Sequence, residues 1–231
     1  MTDTAFNQFL ELHLTKTGPY THLSLAGGKY NIPSSRLDEL FQHLQRCLET
    51  DVPYFLVEAR PDAFPYFLDI DFKTEKLTKK EYIELVTLVV TLLNKFYPVY
   101  SNTNQVFTVH LLKSEHTSNV HVLLPYLIVD RQTAVTITME LVLYLKSNFS
   151  RKPILWERIV DVRPFRNKSS LRMYGASKCM RHSGCKNRGA CGMCDDNGNV
   201  LLGRRYFTSL QLLAGDIKDA PTPHFDAMQS T

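Results

Sequence analysis

The stretch Phe67-Leu68-Asp69-Ile70-Asp71-Phe72 carries two carboxylates inside an otherwise apolar run. Side chains alternate between the two faces of a β-strand, so this run predicts a strand on which Asp69 and Asp71 share one face while Leu68, Ile70 and Phe72 point into the core. Two carboxylates one strand repeat apart repel each other, and a pair of Mg²⁺ or Mn²⁺ ions, completed by substrate phosphates, relieves that repulsion. The alternative is a pair of surface aspartates on an edge strand.

A third carboxylate stands at the end of another apolar segment, Arg158-Ile159-Val160-Asp161. The segment predicts a short strand over residues 159–162. A third carboxylate strengthens the metal-binding interpretation of the first two, and Asp161 supplies it.

Apolar periodicity predicts further elements on both sides of these segments. Helices are predicted over residues 4–14, 34–50, 78–97 and 130–148, and strands over residues 54–58, 66–72, 105–113, 120–124, 159–162 and 170–174. Helices and strands mix without strict alternation, and residues 105–124 predict an antiparallel hairpin. The expected fold class is therefore α+β, with a mixed or antiparallel sheet flanked by helices.

Composition excludes some classes of protein and favours others. The chain is 44% hydrophobic and 22% charged, as in ordinary globular proteins. It has no run of about 18 apolar residues that would form a membrane helix, and its first residues lack the pattern of a secretory signal. We therefore expect a protein that works inside a cell, without a membrane partner.

Basic residues concentrate in one part of the chain. Residues 151–205 contain thirteen Lys and Arg against four Asp and Glu. Such a local excess suits a polyphosphate or a nucleic-acid backbone, because binding there is largely neutralisation of phosphate charge. A solvated basic face is the alternative when the charge stands alone.

Three motifs, in this order, resemble those of the archaeo-eukaryotic primases. They are Asp69-Ile70-Asp71, the hairpin segment Asn119-Val120-His121-Val122 and the segment Ile159-Val160-Asp161. The run from Arg166 to Lys178 is similar to primase-polymerases and to the primases of nucleocytoplasmic large DNA viruses. The segment from Gly28 to Pro33 resembles the viral branch, and together these similarities cover most of the chain.

The resemblance implies a primase-type catalytic core that makes a primer from nucleoside triphosphates on a single-stranded DNA template. It implies two-metal nucleotidyl transfer, in which Asp69 and Asp71 bridge both ions. Asp161 then completes the ion at the primer hydroxyl, and His121 holds the incoming triphosphate. A helicase in the same chain or in a partner chain is a further expected partner, and a viral source would place the protein in the cytoplasm or nucleus of a host cell.

Other nucleotide and nucleic-acid contacts follow from the same resemblance. The family usually has Ser two residues before the motif histidine; here that residue is Asn119. Its amide also hydrogen-bonds phosphate oxygens, so we expect Asn119 to substitute as a nucleotide ligand. The resemblance places Arg172 and Lys178 at the triphosphate, and we expect Arg166 and Lys168 at the template backbone. Any of these four basic side chains is alternatively a solvated surface group.

Four of the five cysteines fall within sixteen residues, with a histidine among them: Cys179, His182, Cys185, Cys191 and Cys194. The spacing C-x2-H-x2-C-x5-C-x2-C predicts a zinc site, because Zn²⁺ takes four nitrogen or sulfur ligands. The last three cysteines are the preferred ligands, and Cys179 and His182 compete for the fourth position.

The zinc module carries its own basic residues. Lys186 and Arg188 predict contact with template or primer. A purely structural clip is the alternative.

The order of these features divides the chain into four predicted segments. Residues 1–50 form the N-terminal helical part, residues 51–178 the catalytic core, and residues 179–215 the zinc-binding module with closing elements. Residues 216–231, with two prolines and no apolar periodicity, are predicted to be a tail or linker.

Two other functions remain open on the sequence alone. One is a non-catalytic, zinc-containing nucleic-acid-binding module with a primase-like fold, and the other is a metal-dependent nuclease. The presence of all three aspartates and of the motif histidine argues against loss of activity. A nuclease offers no reason for the Arg–Lys pair that follows the third aspartate.

Overall fold

The structure of the protein is a computed structural model, which describes residues 3–59, 61–72, 76–97, 109–114, 119–151, 153–166, 172–181, 199–201, 206–213 and 216–219. Side chains are described up to residue 178, apart from that of Arg166. No helix in these ranges combines the length and hydropathy that crossing a bilayer requires.

The elements are numbered in chain order. The helices are α1 (Thr4–Leu12), α2 (Leu37–Glu49), α3 (Lys79–Phe96), α4 (Arg131–Asn148), α5 (Trp156–Ile159) and α6 (Arg163–Arg166). The strands are β1 (His22–Ser24), β2 (Lys29–Tyr30), β3 (Leu56–Glu58), β4 (Ala63–Ile70), β5 (Val109–Ser114), β6 (Val120–Asp130), β7 (Cys179–Arg181), β8 (Asn199–Leu201), β9 (Tyr206–Leu213) and β10 (Asp216–Asp219). The predicted α+β class is confirmed.

The chain forms two compact units. The first comprises residues 1–60 and 170–205, and the second comprises residues 61–169 and 206–231. This division cuts across the predicted segments, because the end of the predicted catalytic core groups with the N-terminal residues. The strand β10 also lies within the predicted tail.

The first unit contains a three-stranded antiparallel sheet with the order β2-β1-β3 and, separately, the antiparallel pair β7-β8. Helices α1 and α2 supply its core, in which Phe9, Leu40 and Leu44 are buried. Residue Arg172 bridges Val57 on β3. Of the strand predicted over residues 170–174, the described residues therefore show only this single bridge.

A tight turn follows Arg172 in the first unit. Gly175 adopts a φ of +69°, and a Cβ atom there would lie 2.6 Å from the side chain of Leu48. The hydroxyl of Tyr54 donates a hydrogen bond to the carbonyl of Tyr174. Only glycine combines that backbone conformation with so close an approach, so this turn sets the course of the chain from Arg172 to residue 178.

The second unit is built on a five-stranded antiparallel sheet with the order β10-β9-β5-β6-β4. One face packs against the helices, where the hydroxyl groups of Tyr66 and Thr138 lie 2.8 Å apart. Leu68, Ile70 and Val122 are completely or almost completely buried. This apolar layer makes β4 a rigid support for its polar face.

Both long helices of the second unit begin at side-chain caps. Thr78 and Glu81 form a reciprocal capping box at the start of α3. The carboxylate of Asp130 accepts a hydrogen bond from the backbone N–H of Thr133, at 2.7 Å, at the start of α4. The starts predicted from sequence for these two helices therefore agree with the structure to within a residue.

The strand predicted over residues 159–162 is wrong. The chain forms the helical turn α5 up to Ile159, and only Val160 pairs with β4. Trp156 is 1% exposed and lies edge-on to Phe149, with ring centroids 5.1 Å apart. Burial of this large ring fixes the helical turn, so tertiary packing outweighs the β-branched character of the segment.

The hairpin strand β6 is longer than predicted. The sequence predicted a strand that ends at Leu124, yet β6 continues past Pro125 to Asp130. The pairing with β4 shifts in register between Pro65 and Tyr66. This irregularity accommodates Pro125, which lacks a backbone N–H donor for regular strand pairing.

His22 makes the stability of the first unit depend on pH. Its side chain is buried in β1, and burial lowers its pKa from 6.5 to about 4. The unfolded chain binds a proton near pH 6.5 and the folded chain only near pH 4, so this stability is present above pH 6.5 and is lost as the pH falls toward 4. Between pH 7 and pH 5, we expect the wild type to lose about 2 kcal/mol more free energy of unfolding than His22→Gln. Urea unfolding of both proteins at both pH values measures this difference. Equal losses of free energy of unfolding in wild type and His22→Gln would contradict the prediction.

Candidate active site

The edge of the second unit's sheet brings Asp161 beside the first carboxylate motif. The backbone N–H of Asp161 donates to the carbonyl of Asp69 at 2.8 Å. The N–H of Asp71 donates to the carbonyl of Ile159 at 2.7 Å. These two bonds flank an antiparallel bridge, which places Asp161 directly across from Asp69. Directly opposed residues have Cβ atoms about 4.5–5.5 Å apart and share one face.

The alternation predicted for the first motif is confirmed. Leu68, Ile70 and Phe72 are 1%, 0% and 2% exposed, whereas Asp69 and Asp71 are partly exposed. The two aspartates therefore share the face opposite the helices, and Asp161 joins them there from the neighbouring segment. All three predicted catalytic carboxylates stand on one face of the sheet.

The neighbouring strand β6 adds an imidazole to this face, and the residue directly before β6 adds an amide. His121 pairs in register with Asp69, and its Nε2 atom lies 3.5 Å from Asp69 Oδ1. The His121 side chain is only 4% exposed. The Nδ2 of Asn119 donates a hydrogen bond of 2.5 Å to Asp71 Oδ1. The amide thus orients a carboxylate, and its predicted contact with the nucleotide stays a prediction.

Arg163 contacts Asp161 directly, although the sequence analysis assigned it no role. Its Nε lies 3.0 Å from both carboxylate oxygens, its Nη2 lies 2.7 Å from Oδ2, and its backbone N–H donates to Oδ1 at 2.8 Å. The arginine side chain is 76% exposed, against 17% for Asp161. The spacing Asp-x-Arg is the signal from which this contact was predictable.

The family model described as the C962R protein N-terminal AEP domain matches residues 21–186, well over half of the chain. AEP denotes the archaeo-eukaryotic primases.

The chain belongs to the archaeo-eukaryotic primase family.

The match places this primase domain among proteins of the primase-polymerase type, which are generally nucleotidyltransferases. The matched residues include the three aspartates and His121, and they end between Cys185 and Cys191. No curated protein matches the chain.

Electrostatic interactions tie Arg163 of the primase domain to the whole carboxylate cluster. Burial alone would raise the pKa of Asp161, but the hydrogen bonds and positive charge of Arg163 outweigh it, so that this pKa lies below its ordinary value. The pKa of Arg163 is raised, first by its hydrogen bond to Asp161 and also by the charges of Asp71 and Asp69. The guanidinium therefore experiences all three negative charges.

The three carboxylates of the primase domain have the right chemistry for divalent ions. Mg²⁺ and Mn²⁺ prefer carboxylate oxygens, and the three aspartates occupy adjacent positions on one face. Among the described side chains, no three His, Cys, Asp or Glu residues converge on a single point. Asp161 is turned toward Arg163, and Asp71 is turned toward Asn119. The residues fit such ions in type and backbone position, with Asp161 held by a cation from its own chain.

A second histidine shares the polar face of the sheet. Leu112 is the register partner of His121 on β5, and His110 lies two residues before Leu112. Residues two apart on a strand point to the same side. Burial lowers the pKa of His110, which favours its neutral form. The sequence pattern did not single out His110, whose only signal was its position in the predicted hairpin.

The predicted triphosphate contacts Arg172 and Lys178 belong to the first unit. Arg172 donates a long hydrogen bond, 3.4 Å, from Nη1 to the carbonyl of Ala176. Lys178 is half-buried. The roles assigned to both residues stay predictions.

The remaining candidate residues are described in part or not at all. The backbone of Cys179 begins β7, and the backbone of Arg166 ends α6, but nothing is described of their side chains. The candidates that lie outside the described residues are Lys168, His182, Cys185, Lys186, Arg188, Cys191 and Cys194. The zinc site and the nucleic-acid contacts therefore stay predictions.

Proposed function

We propose that this primase domain makes or extends a primer on single-stranded DNA by template-directed nucleotidyl transfer from nucleoside triphosphates. The observation that supports the proposal is the placement of three carboxylates and one imidazole, from three separate sequence motifs, on one face of a rigid sheet. Motifs distant in sequence meet there, as a site that acts on one reacting group requires.

In this proposal Asp69, Asp71 and Asp161 hold two divalent ions. When bound, the ions lower the pKa of the primer hydroxyl and offset charge on the departing pyrophosphate. Two of these residues lie at the end of β4, Asp69 in the strand and Asp71 directly after it, on a backbone whose other face is fixed by buried apolar residues. Such support keeps the carboxylates positioned before substrate arrives.

His121 is proposed to bind the incoming triphosphate. Its ring is nearly buried, and the carboxylate of Asp69 lies beside its Nε2. A buried imidazole next to a carboxylate is held in one orientation, which suits a group that donates a hydrogen bond to a phosphate oxygen. The Asn119 amide, directly before β6, orients Asp71 by a hydrogen bond to its carboxylate.

Basic residues outside the carboxylate cluster are proposed to contact the phosphates of the substrates. Arg172 and Lys178 are proposed to bind the triphosphate of the nucleotide. Arg166 and Lys168 are proposed at the template backbone. Phosphate binding accounts for an excess of Lys and Arg in this part of the chain.

The experiment that tests the function is incorporation of labelled nucleotide by the complete chain on single-stranded DNA, with Mg²⁺ or Mn²⁺ present. We expect labelled product that requires the template. Strand degradation without incorporation would favour the nuclease, and DNA binding without either reaction would favour the non-catalytic module. Either of these results would overturn the proposal.

We also propose that the cysteine cluster binds one zinc ion, since a segment this short needs metal to hold a fixed structure. Freshly reduced protein is expected to contain about one equivalent of zinc per chain, and Cys191→Ser or Cys194→Ser should lower that content. Cys47→Ser is the matched control, because Cys47 is buried in α2 and lies far from the cluster in sequence. Metal analysis that finds no zinc in the wild type would remove this site.

A further inference from the structure

The contact between Arg163 and Asp161 occupies both oxygens of a carboxylate that we assign to metal binding. Three nitrogen atoms of one residue approach the carboxylate, at distances between 2.7 and 3.0 Å. Each oxygen thus has two of these nitrogens within hydrogen-bond distance, and a carboxylate oxygen has two lone-pair positions. A cation that binds Asp161 must therefore displace the guanidinium.

This ion pair contributes little to the fold. The two residues are only two positions apart in sequence, so the pair connects no distant parts of the chain. The Arg163 side chain is 76% exposed. Exposed ion pairs of this kind stabilise proteins weakly. The position of the arginine beside three carboxylates calls for an explanation other than stability.

We propose that Arg163 is the resident counter-ion of Asp161, and that it sets the affinity of the site for divalent ions by competing for this carboxylate. The proposal rests on the proposed function, because it takes Asp161 as a metal ligand. Arg163 neutralises part of the repulsion among Asp69, Asp71 and Asp161 until an ion takes its place. It is a positioning residue that acts through Asp161.

The competition predicts the direction of the effect. Removal of the guanidinium frees Oδ2 of Asp161, leaves Oδ1 with only the bond from the backbone N–H, and deletes a positive charge next to the incoming cation. Two such charges a few ångströms apart repel appreciably even in water. We therefore expect Arg163→Gln to bind Mn²⁺ about tenfold more tightly than the wild type.

The experiment is a titration of the complete chain with Mn²⁺ alone, followed by the electron paramagnetic resonance signal of the free ion. Arg163→Lys keeps the charge but loses the fork that spans both oxygens, and its affinity should fall between those of wild type and Arg163→Gln. The matched control is Arg158→Gln. Arg158 is exposed, and its substitution removes the same charge from the same segment. We expect Arg158→Gln to bind Mn²⁺ like the wild type.

The outcomes separate this proposal from the proposed function. Binding of Mn²⁺ to wild type and Arg163→Gln with equal affinity, or more weakly to the variant, would overturn the role of Arg163 and leave the metal site standing. An equal gain in Arg158→Gln would also overturn it, since the effect would then be one of overall charge. Absence of Mn²⁺ binding in every protein would overturn both proposals.

Discussion

Asp69→Asn is expected to reduce template-dependent nucleotide incorporation by about a thousandfold or more. Asp69 occupies the centre of the cluster, with Asp161 across from it on one side and His121 on the other. A bound ion stabilises the charge of the transition state by several kcal/mol, and each 1.36 kcal/mol corresponds to about a factor of ten in rate. Loss of one of the carboxylates proposed to hold the ions should therefore remove most of the activity.

The fold of this variant should remain intact. Asn has nearly the same shape as Asp, and removal of one of three like charges relieves repulsion. The thermal midpoint of unfolding checks this expectation. Asp62→Asn is the matched control. Asp62 is exposed just before β4, and its substitution makes the same chemical change outside the cluster. Incorporation by Asp69→Asn within a few-fold of wild type would be incompatible with the two-metal proposal.

The second large effect is expected at Arg172 and Lys178. Loss of a charged phosphate ligand costs about 1.5–3 kcal/mol, which is about ten- to a hundredfold in nucleotide affinity. Arg172→Ala and Lys178→Ala should show this loss while their affinity for DNA changes little. The fold should tolerate Arg172→Ala, since this side chain is partly exposed and its hydrogen bond to the carbonyl of Ala176 is long, at 3.4 Å.

The matched variants are ones expected to lose affinity for DNA and to keep their affinity for the nucleotide. Lys186→Ala and Arg188→Ala are expected to weaken DNA binding, and each should flatten its salt dependence by about one unit of slope. Nucleotide and DNA affinities, measured separately for all four variants, distinguish the two groups of basic residues. Loss of DNA binding with unchanged nucleotide affinity in Arg172→Ala and Lys178→Ala would show that the triphosphate pocket is assigned wrongly.

Part of the candidate site was predictable because strand periodicity is a local property. The alternation in residues 67–72 reports which side chains share a face, and the structure places Asp69 and Asp71 accordingly. The hairpin likewise placed His121 on a strand. The pattern does not report which strand lies next to which, so the pairing of Asp69 with both His121 and Asp161 was not predictable from it.

The contacts between side chains within the site were harder still to predict from the sequence. The sequence did not show whether the Asn119 amide would bind a phosphate or the carboxylate of Asp71. The Asp-x-Arg spacing placed Arg163 near Asp161, but Arg163 is also one of thirteen basic residues in its region. Its contact with Asp161 depends on the rotamers of two side chains and on the helical turn that begins at Arg163. Those depend on the packing of the surrounding chain.

The sequence by itself determined the α+β class, the long helices with their capped starts, and the chemical character of the cluster, because each follows from the residues within one segment. Tertiary structure alone decided that residues 156–159 form a helical turn and that β6 continues past Pro125. It also decided that Asp161 pairs with the edge of β4. In each case a contact between residues distant in sequence outweighs the local preference, as the burial of Trp156 against Phe149 and Phe72 does for the turn that leads to Asp161.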